Sequence, residues 1–508
     1  MKQWFGIMLL GATTVFAGTL EEELAKLGPA GGMLTIEAPC RVENKVTVPA
    51  NVTIAVNKAG VIELGDAAEL TIDGGLSAPA RQIFKGAGKV TGRAQVAAVL
   101  PQWFGAAGDG KQDDAPALNR AAEFARTTAE KRLLIPSGRY KINSQIDIRC
   151  NVDCFGVLVK EIEIDESKTT VGSFTRTPDF KPKNAISIRI LPDEAPITLD
   201  GKAFAGIRRG AVELPAFAKI ARLDRPGETV DLVPGGTLYL RSTDFSSARN
   251  NQKGDEYYAK FDCFSIVSPR GGVMPEAFYD FNLPDNAPGW DGAKVYKRGD
   301  YCRADGKIFK ATYPSGPGTF HQDKFLGKAD VGSADPAKST RQTIRYAGGK
   351  EDGVNAWVEV KLNAFYVPPQ IPLAINGLAI EVSAIDPENR VKPIADTTMS
   401  VTRSDVTVNN LKIVCTDRNA LLSSLLGVGS AANITFNNAF VSGATYHGLG
   451  YNILNTNVAN VTYNNCVSVN CRDAMAGNHG KNVTISGGRY FCIDDHYGMN
   501  YIIRGADV

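Results

Sequence analysis

Excess charge of either sign is missing from this chain. Its 56 Lys and Arg and 54 Asp and Glu leave a net charge of +2 over 508 residues. That balance gives no reason to expect nucleic acid as a partner. Histidine is scarce. There are four in all, and three of them (His447, His479 and His496) lie in the last stretch. The nine cysteines include no CxxC pair, so a structural zinc site is not expected. Nine is odd, so at least one thiol is unpaired. Long apolar runs are absent after the N-terminal MKQWFGIMLLGATTVFAG, so nothing downstream is expected to span a membrane. What the chain has in excess is glycine, 51 residues against a usual ~7%. That suits a turn-rich all-β fold.

The N-terminal run places one Lys before about a dozen apolar residues and ends in Val15-Phe16-Ala17, the pattern of a secretory signal peptide over residues 1–17. An apolar strand or helix kept in the folded protein is the alternative. Export would let Cys150 and Cys154 pair as a disulfide.

The last hundred residues repeat. DVTVNNLKI starts at Asp405, NITFNNAFV at Asn433, NVTYNNCVS at Asn460, NVTISGGRY at Asn482 and NYIIRGADV at Asn500, spaced 28, 27, 22 and 18 apart. Each unit reads as a short alternating strand ending in an Asn-Asn or Ser-Gly corner. Units of this length do not bury a core alone and must stack, which predicts a parallel β-helix. Stacking turns equal offsets into neighbours about 4.8 Å apart. Twelve to fourteen residues after the starts stand Arg418 (after Asp417), His447, Asp473 and the triplet Asp494, Asp495 and His496. This column is the candidate groove, against the blander reading of a solvated charged face. Adjacent Asp494 and Asp495 point to opposite faces of a regular strand; Asp495, which shares its offset with Asp473, is the expected partner. Cys415, Cys471 and Cys492, at offsets 10, 11 and 10, are expected to stack inside the coils. The sequence stops at Val508 inside a strand, where a terminal repeat normally needs a cap. A longer protein or a covering partner is the expectation.

Upstream, 18–100 reads as a β-rich region, in which 30–75 alternates in short strands (MLTIEAP, KVTVPANVTIAV, GVIEL, LTIDG) with Pro, Asn and Gly corners. GAGKVTG contains a GxG but has no strand-then-helix context, so a dinucleotide site is rejected. In 101–142, Asp113 or Asp114 is placed to cap a helix whose apolar face is Leu118, Ala121, Ala122 and Ala125. With Asp109, these aspartates are read as turn and cap residues, not metal ligands. Residues 151–400 hold β-like runs (AISIRIL, TVDLVPGGTLYLRS, TIRY, WVEVKL, LAIEVSAI) read as further coils with long excursions.

WFGAAGDGKQDD, a helix, then LLIPSGRYKI resembles the pectate lyase superfamily, which includes phage tailspikes. The resemblance implies a right-handed parallel β-helix whose N-terminal mouth is capped by the 115–129 helix, with 101–287 as cap and first coils and 321–508 as later coils. Within 288–320, PGWDGAKVYKRGDYCRADGKIFKA resembles small chitin-binding-type carbohydrate modules. There Trp290 is the expected sugar contact, while Tyr296 and Phe309 are expected to form the module's own core.

The superfamily implies a polysaccharide partner, in a secreted protein or a virion tail, with a homotrimer if the chain is of the tailspike kind. It includes lyases, hydrolases and non-catalytic adhesins, so the site must choose. The Asp494-Asp495 pair resembles the paired aspartates of polygalacturonases. There, however, the histidine follows the pair, and here His479 precedes it. Hydrolysis needs two carboxyls, offered by Asp473 with Asp494 or Asp495. A lyase needs a base and cations, offered by His447 or His496 with Arg472 or Arg489. Arg418 and Tyr497 complete the expected sugar contacts. No cofactor is expected; Ca2+ would be called for only if the chain is a lyase, and no motif supports it.

Overall fold

The computed structural model describes residues 12–15, 18–57, 59–171, 178–183, 188–205, 219–233, 235–242, 263–267, 283–297, 299–311, 320–323, 327–330, 335–337, 341–346, 351–355, 357–385, 392–417, 420–445, 450–478, 480–496, 498 and 500–508. They fall into two compact units, one of Met1–Asp193, Ile371–Thr456 and Asn460–Val508, the other of Glu194–Gln370 and Asn457–Ala459.

The N-terminal β-rich stretch is a small parallel solenoid in its own right. Gly32–Ile36, Val52–Val56 and Gly75–Ser77 stack into one sheet. Pro39–Val42, Val61–Leu64 and Phe84–Gly86 form a second, and Lys45–Val48, Glu69–Ile72 and Lys89–Thr91 a third. Strand alternation sends one side chain in two inward. Leu34, Ile54 and Leu76 therefore line up inside, as do Cys40, Ile62 and Phe84, and Val46, Leu70 and Val90, all buried. Helix α1 (Leu20–Leu27) packs on the first coil and starts in a capping box between Thr19 and Glu22. Ala12–Val15 pairs in parallel with Gly32–Ile36, so part of the expected leader forms an edge strand here. A short apolar run is ambiguous between the two roles. No helix among the described residues is long and apolar enough to cross a membrane.

The 13-residue helix α2 (Ala115–Thr127) buries Leu118, Ala121, Ala122 and Ala125, as expected, and Phe124 as well. It lies on the first coil of the main β-helix, against Arg132–Ile135, Arg139–Ile142 and Ile146–Ile148. Phe124 also meets Phe104 and Phe84, with ring centroids 6.3 and 6.1 Å away. One helix thus seals the end of the small solenoid and the mouth of the large one. The aspartates before it divide the labour. Asp113 Oδ1 accepts from the N–H groups of Ala115 (3.2 Å) and Asn143 (3.1 Å). Asp114 caps nothing in the helix; its carboxylate accepts from Ala107 (2.7 Å) and Gly108 (3.1 Å) and holds the preceding loop. Asp109 closes its own turn onto Lys111 and Gln112.

The main parallel β-helix has three walls of stacked strands. Its first wall runs through Arg132–Ile135, Asn151–Cys154, Leu373–Asn376 and Val406–Asn409 and on to Ile502–Arg504. The second runs through Arg139–Ile142, Lys412–Cys415, Phe440–Ser442, Val467–Val469 and Arg489–Tyr490. The third includes Ile146–Ile148, Ile188–Ile190, residues 451–456 of the long strand Tyr451–Asn464, Asp473–Asn478 and Ile493–His496. The repeat starts are a ladder. The Nδ2 groups of Asn433, Asn460, Asn482 and Asn500 donate to the Oδ1 atoms of Asp405, Asn433, Asn460 and Asn482 at 2.9–3.0 Å. Each rung has φ between 52° and 60°, a left-handed conformation that Asn tolerates. The second residues of the corners, Asn410, Asn438, Asn465 and Gly487, share it at 51–64°. A second ladder climbs from Asp153 through Asn376, Asn409 and Asn437 to Asn464 at 2.8–2.9 Å. We expect Asn460→Ala to destabilise by ~1–3 kcal/mol, from αL strain plus two lost side-chain hydrogen bonds, and Asn460→Gly by less. Urea unfolding of both variants checks this; equal losses would remove the strain contribution.

The second unit is antiparallel. TLYLRS falls in Thr237–Ser242, paired antiparallel with Leu362–Val367 and Cys263–Val267. TIRY lies in Arg341–Tyr346, paired antiparallel with Glu351–Asn355. WVEVKL straddles Trp357–Glu359 and the start of Leu362–Val367. These runs are therefore not coils; LAIEVSAI is, and so is Ile188–Ile190 of AISIRIL, whose first three residues lie outside the described ones. Alternation reports a half-buried strand and carries no sign of its direction. The carbohydrate-like stretch is not closed at 288–320 either. Its strands Tyr301–Ala304 and Lys307–Ala311 take a third from Trp357–Glu359, and Trp357 packs edge-on to Tyr296 at 5.0 Å. Tyr296 and Phe309 are 1% and 2% exposed, core residues as expected.

Cys150 and Cys154 are free and buried. The extended strand Asn151–Cys154 holds them roughly 13 Å apart, beyond the 4.4–6.8 Å that a disulfide bridges. Cys415 stacks against Gly443, not against Cys471 or Cys492.

Candidate functional site

The expected column divides at one corner. The repeats starting at Asn460 and Asn482 keep equal offsets through Val467↔Arg489 and Ser468↔Tyr490. The third wall then resumes at Met475↔Ile493, with four more residues used by the earlier coil. The spacing of 22 against 18 is spent entirely in this corner. Asp495 therefore stands beside Gly477, not beside Asp473, whose lateral partner is Tyr451. Offsets counted from the first strand hold only until a corner changes length.

What gathers at this corner is Tyr451, Arg472, Asp473, Cys492 and Asp494. Asp473 is 7% exposed, and its Oδ2 accepts no hydrogen bond. The Arg472 guanidinium lies 3.5 Å from that oxygen and 5.6 Å above the Tyr451 ring, with Nη1 donating to the Tyr451 hydroxyl at 3.4 Å. Burial pushes the Tyr451 phenol up, Arg472 draws it down, and Asp473 and Asp494 add smaller upward pushes. The Cys492 thiol is pushed up by burial and then by Asp473, to which it hydrogen-bonds. Burial likewise raises Cys471 to about 12. These are protonated thiols, not nucleophiles at neutral pH. Tyr451 and Cys492 were missed by residue-type searching. The signal for Tyr451 was its place at the first position of the third wall, one coil before Asp473.

Asp495 faces the other way. The Tyr501 hydroxyl donates to its Oδ2, and Gly477, Gly480 and Gly498 crowd the carboxyl so closely that a Cβ on any of them would collide with it or with Tyr501. Tyr501 occupies the position where Val406, Ile434, Val461 and Val483 fill the core in earlier coils. Burial lifts Asp495 to about 7 against the pull of the Tyr501 hydrogen bond, with Asp494 adding a smaller push. Alternation turns Asp494 outward.

The remaining expected residues scatter. His496 takes the strand position beside Asn478. Arg489 lies on the second wall, 72% exposed and 3.6 Å from Asp507. Trp290 belongs to the other compact unit, half-buried and beside Gly292. Arg418, His447 and Tyr497 lie outside the described residues. Among the described residues, no group of three or more His, Cys, Asp and Glu side chains is placed to hold a metal ion.

Residues 102–182 match the family model for rhamnogalacturonase A/epimerase, pectate lyase-like. This segment is pectate lyase-like. It spans the loop, the capping helix and the first coils described above. Among solved structures the chain is similar to the tailspike gp61 of Pseudomonas phage phi297, at 13% identity and a TM-score of 0.36, over 78% of this chain and 52% of that one. It is also similar to the Gp54 tailspike of Acinetobacter baumannii bacteriophage AP22, determined with an A. baumannii capsular saccharide, at 10% identity and a TM-score of 0.22, over 78% and 55%. The chain spans about half the length of these tailspikes. No curated protein matches it.

Proposed function

We propose that this chain binds an extracellular or cell-surface polysaccharide along the corner formed by Tyr451, Arg472, Asp473 and Asp494, and depolymerises it by acid–base chemistry. The observation that carries the reading is Asp473: a carboxylate on the solenoid wall, nearly buried, with one oxygen accepting no hydrogen bond and a cation 3.5 Å away. Holding such a group without a full set of donors costs free energy; Oδ2 is itself covered, so a sugar hydroxyl or a reacting water supplies what is lacking once the half-exposed Arg472 side chain moves aside. Asp494 is the second carboxyl that glycoside hydrolysis requires. Arg472, spread over Tyr451, presents a planar cation and an aromatic edge to the chain of sugars. The pectate lyase-like segment supports the polysaccharide class. Secretion or a place on a virion tail, and a trimeric assembly, belong to the same proposal.

Incubation with capsular and pectic polysaccharides tests it. Shortened products with new reducing ends indicate a hydrolase, and products absorbing as unsaturated uronates indicate a lyase. Saturable binding without any product supports the second reading, an adhesin. That reading is favoured by one observation: Asp495, the expected partner carboxyl, is turned into the core. Trp290 is proposed as an auxiliary sugar contact. Trp290→Ala is expected to weaken binding ~5–10-fold, about 1 kcal/mol for one lost ring contact, with the melting temperature held, since Tyr296 and Trp357 carry the local core. Affinity electrophoresis in polysaccharide gels reads it; unchanged migration would dismiss Trp290.

A further inference from the structure

Two walls of the β-helix are continuous across a long interruption. Ile188–Ile190 pairs with Ile146–Ile148 on one side and with Met399–Val401 on the other. Val152 pairs with Ile375 although 222 residues separate them in sequence. Between Asp193 and Ile371 the chain leaves this unit altogether. Both ends of the interruption meet one side chain. Arg403, whose side chain has no exposure, places Nη1 3.0 Å from Asp193 Oδ1 and Nη2 3.3 Å from Asp193 Oδ2. The same guanidinium donates to the carbonyl of Ile371 at 2.6 Å and to that of Leu191 at 3.4 Å. Asp193 is the last residue before the interruption and Ile371 the first after it.

We propose that Arg403 is the lock that closes the coil at the neck of the 194–370 insertion, so that the strand register on both sides is set by the wall itself and not by the inserted residues. The chemistry fits arginine alone. A planar fork reaches a carboxylate and two carbonyls at once, which a lysine point charge does not. The charge is carried out of water, so it stays only because Asp193 neutralises it and the carboxylate and carbonyls take up Nη1 and Nη2, while Nε is left without a partner. Flanking backbone bonds complete the seam: Leu191 N–H to Ile148 O and Thr402 N–H to Ile190 O, both 3.0 Å. A wall closed this way tolerates large changes in what is inserted, because nothing beyond Asp193 and Ile371 is needed to hold Ile188–Ile190 or Leu373–Asn376 in place.

Hydrogen exchange on the full chain tests it. In Arg403→Met, which keeps length and removes charge, the non-proline amides in 188–193 and 371–376 are expected to exchange at least ~100-fold faster than in the unsubstituted chain, as follows from losing the charge-assisted hydrogen bonds that tie both segments to one guanidinium. Amides in 434–437, on the first wall with Leu373–Asn376 but away from the neck, should stay at their original rate. Should Arg403→Met fail to fold, Asp193→Asn decides, with an expected acceleration of ~10-fold confined to the same two segments. Exchange at the original rate in both segments of a folded variant overturns the lock, as does acceleration spread evenly over the whole wall.

Discussion

Asp473→Asn is expected to cut depolymerisation ~10²–10⁴-fold, the usual contribution of a positioned acid or base, while polysaccharide binding and the melting temperature stay close to those of the unsubstituted chain. The amide keeps the size of the carboxyl and an oxygen for the Cys492 thiol, so the corner does not collapse. It removes the charge that Arg472 faces at 3.5 Å and the capacity to take a proton. Asp494→Asn should cost a similar factor if the two carboxyls act as a pair, and the double variant little more than the worse single one, because residues acting as a unit are not additive. The measurement is initial rate against substrate concentration, so that kcat and KM separate. Wild-type turnover in both folded variants would remove this corner as a catalytic site and leave the adhesin reading in front.

The contrast between these two carboxyls and Asp495 shows how far the sequence could be read. The strand starts at Asp405, Asn433, Asn460, Asn482 and Asn500 were legible because the ladder needs an Asn or Asp side chain in a left-handed conformation at every rung, a chemical demand that repeats in the letters. The capping helix was legible for the same kind of reason, a helical apolar face behind aspartates. The third wall was not, because corner length is free: Val469 to Ala474 span what Phe491 and Cys492 span in the next coil. A loop that bulges four residues further leaves no periodic mark on the strands it joins. The insertion was hidden differently. Its strands alternate like coil strands, and parallel or antiparallel pairing is decided by partners hundreds of residues apart. Tyr501 was passed over because an aromatic at an inward position reads as core, and its hydroxyl matters only once Asp495 is known to turn toward it.

That inward turn makes the last coils sensitive to pH. Folding raises Asp495 from an ordinary value of 3.8 to about 7, so the folded state holds a proton that the unfolded state has released. For a carboxyl with a raised folded value, the stabilisation is complete below the unfolded value. It is lost as pH rises and is gone once pH passes the folded value. The window is therefore roughly pH 4 to 7, and the loss between about pH 5 and about pH 9 is about 3 kcal/mol. The groups facing Asp495 are Asp494, which pushes it up, and Tyr501, which donates to it and draws it down. Tyr463, from an earlier coil, adds to the upward shift of Tyr501. Asp495→Asn should flatten this dependence and be the more stable chain at alkaline pH, since the amide carries no charge to desolvate. Tyr501→Phe should keep the dependence and move its midpoint up, because the hydrogen bond that lowers Asp495 is gone. Gly477→Ala should destabilise at every pH, since its methyl takes the space of the carboxyl. Urea unfolding of the four chains across this range gives the answer. A wild-type stability no lower at about pH 9 than at about pH 5, or an Asp495→Asn chain with the same slope as wild type, would show that Asp495 does not carry the proton that holds the last coils together.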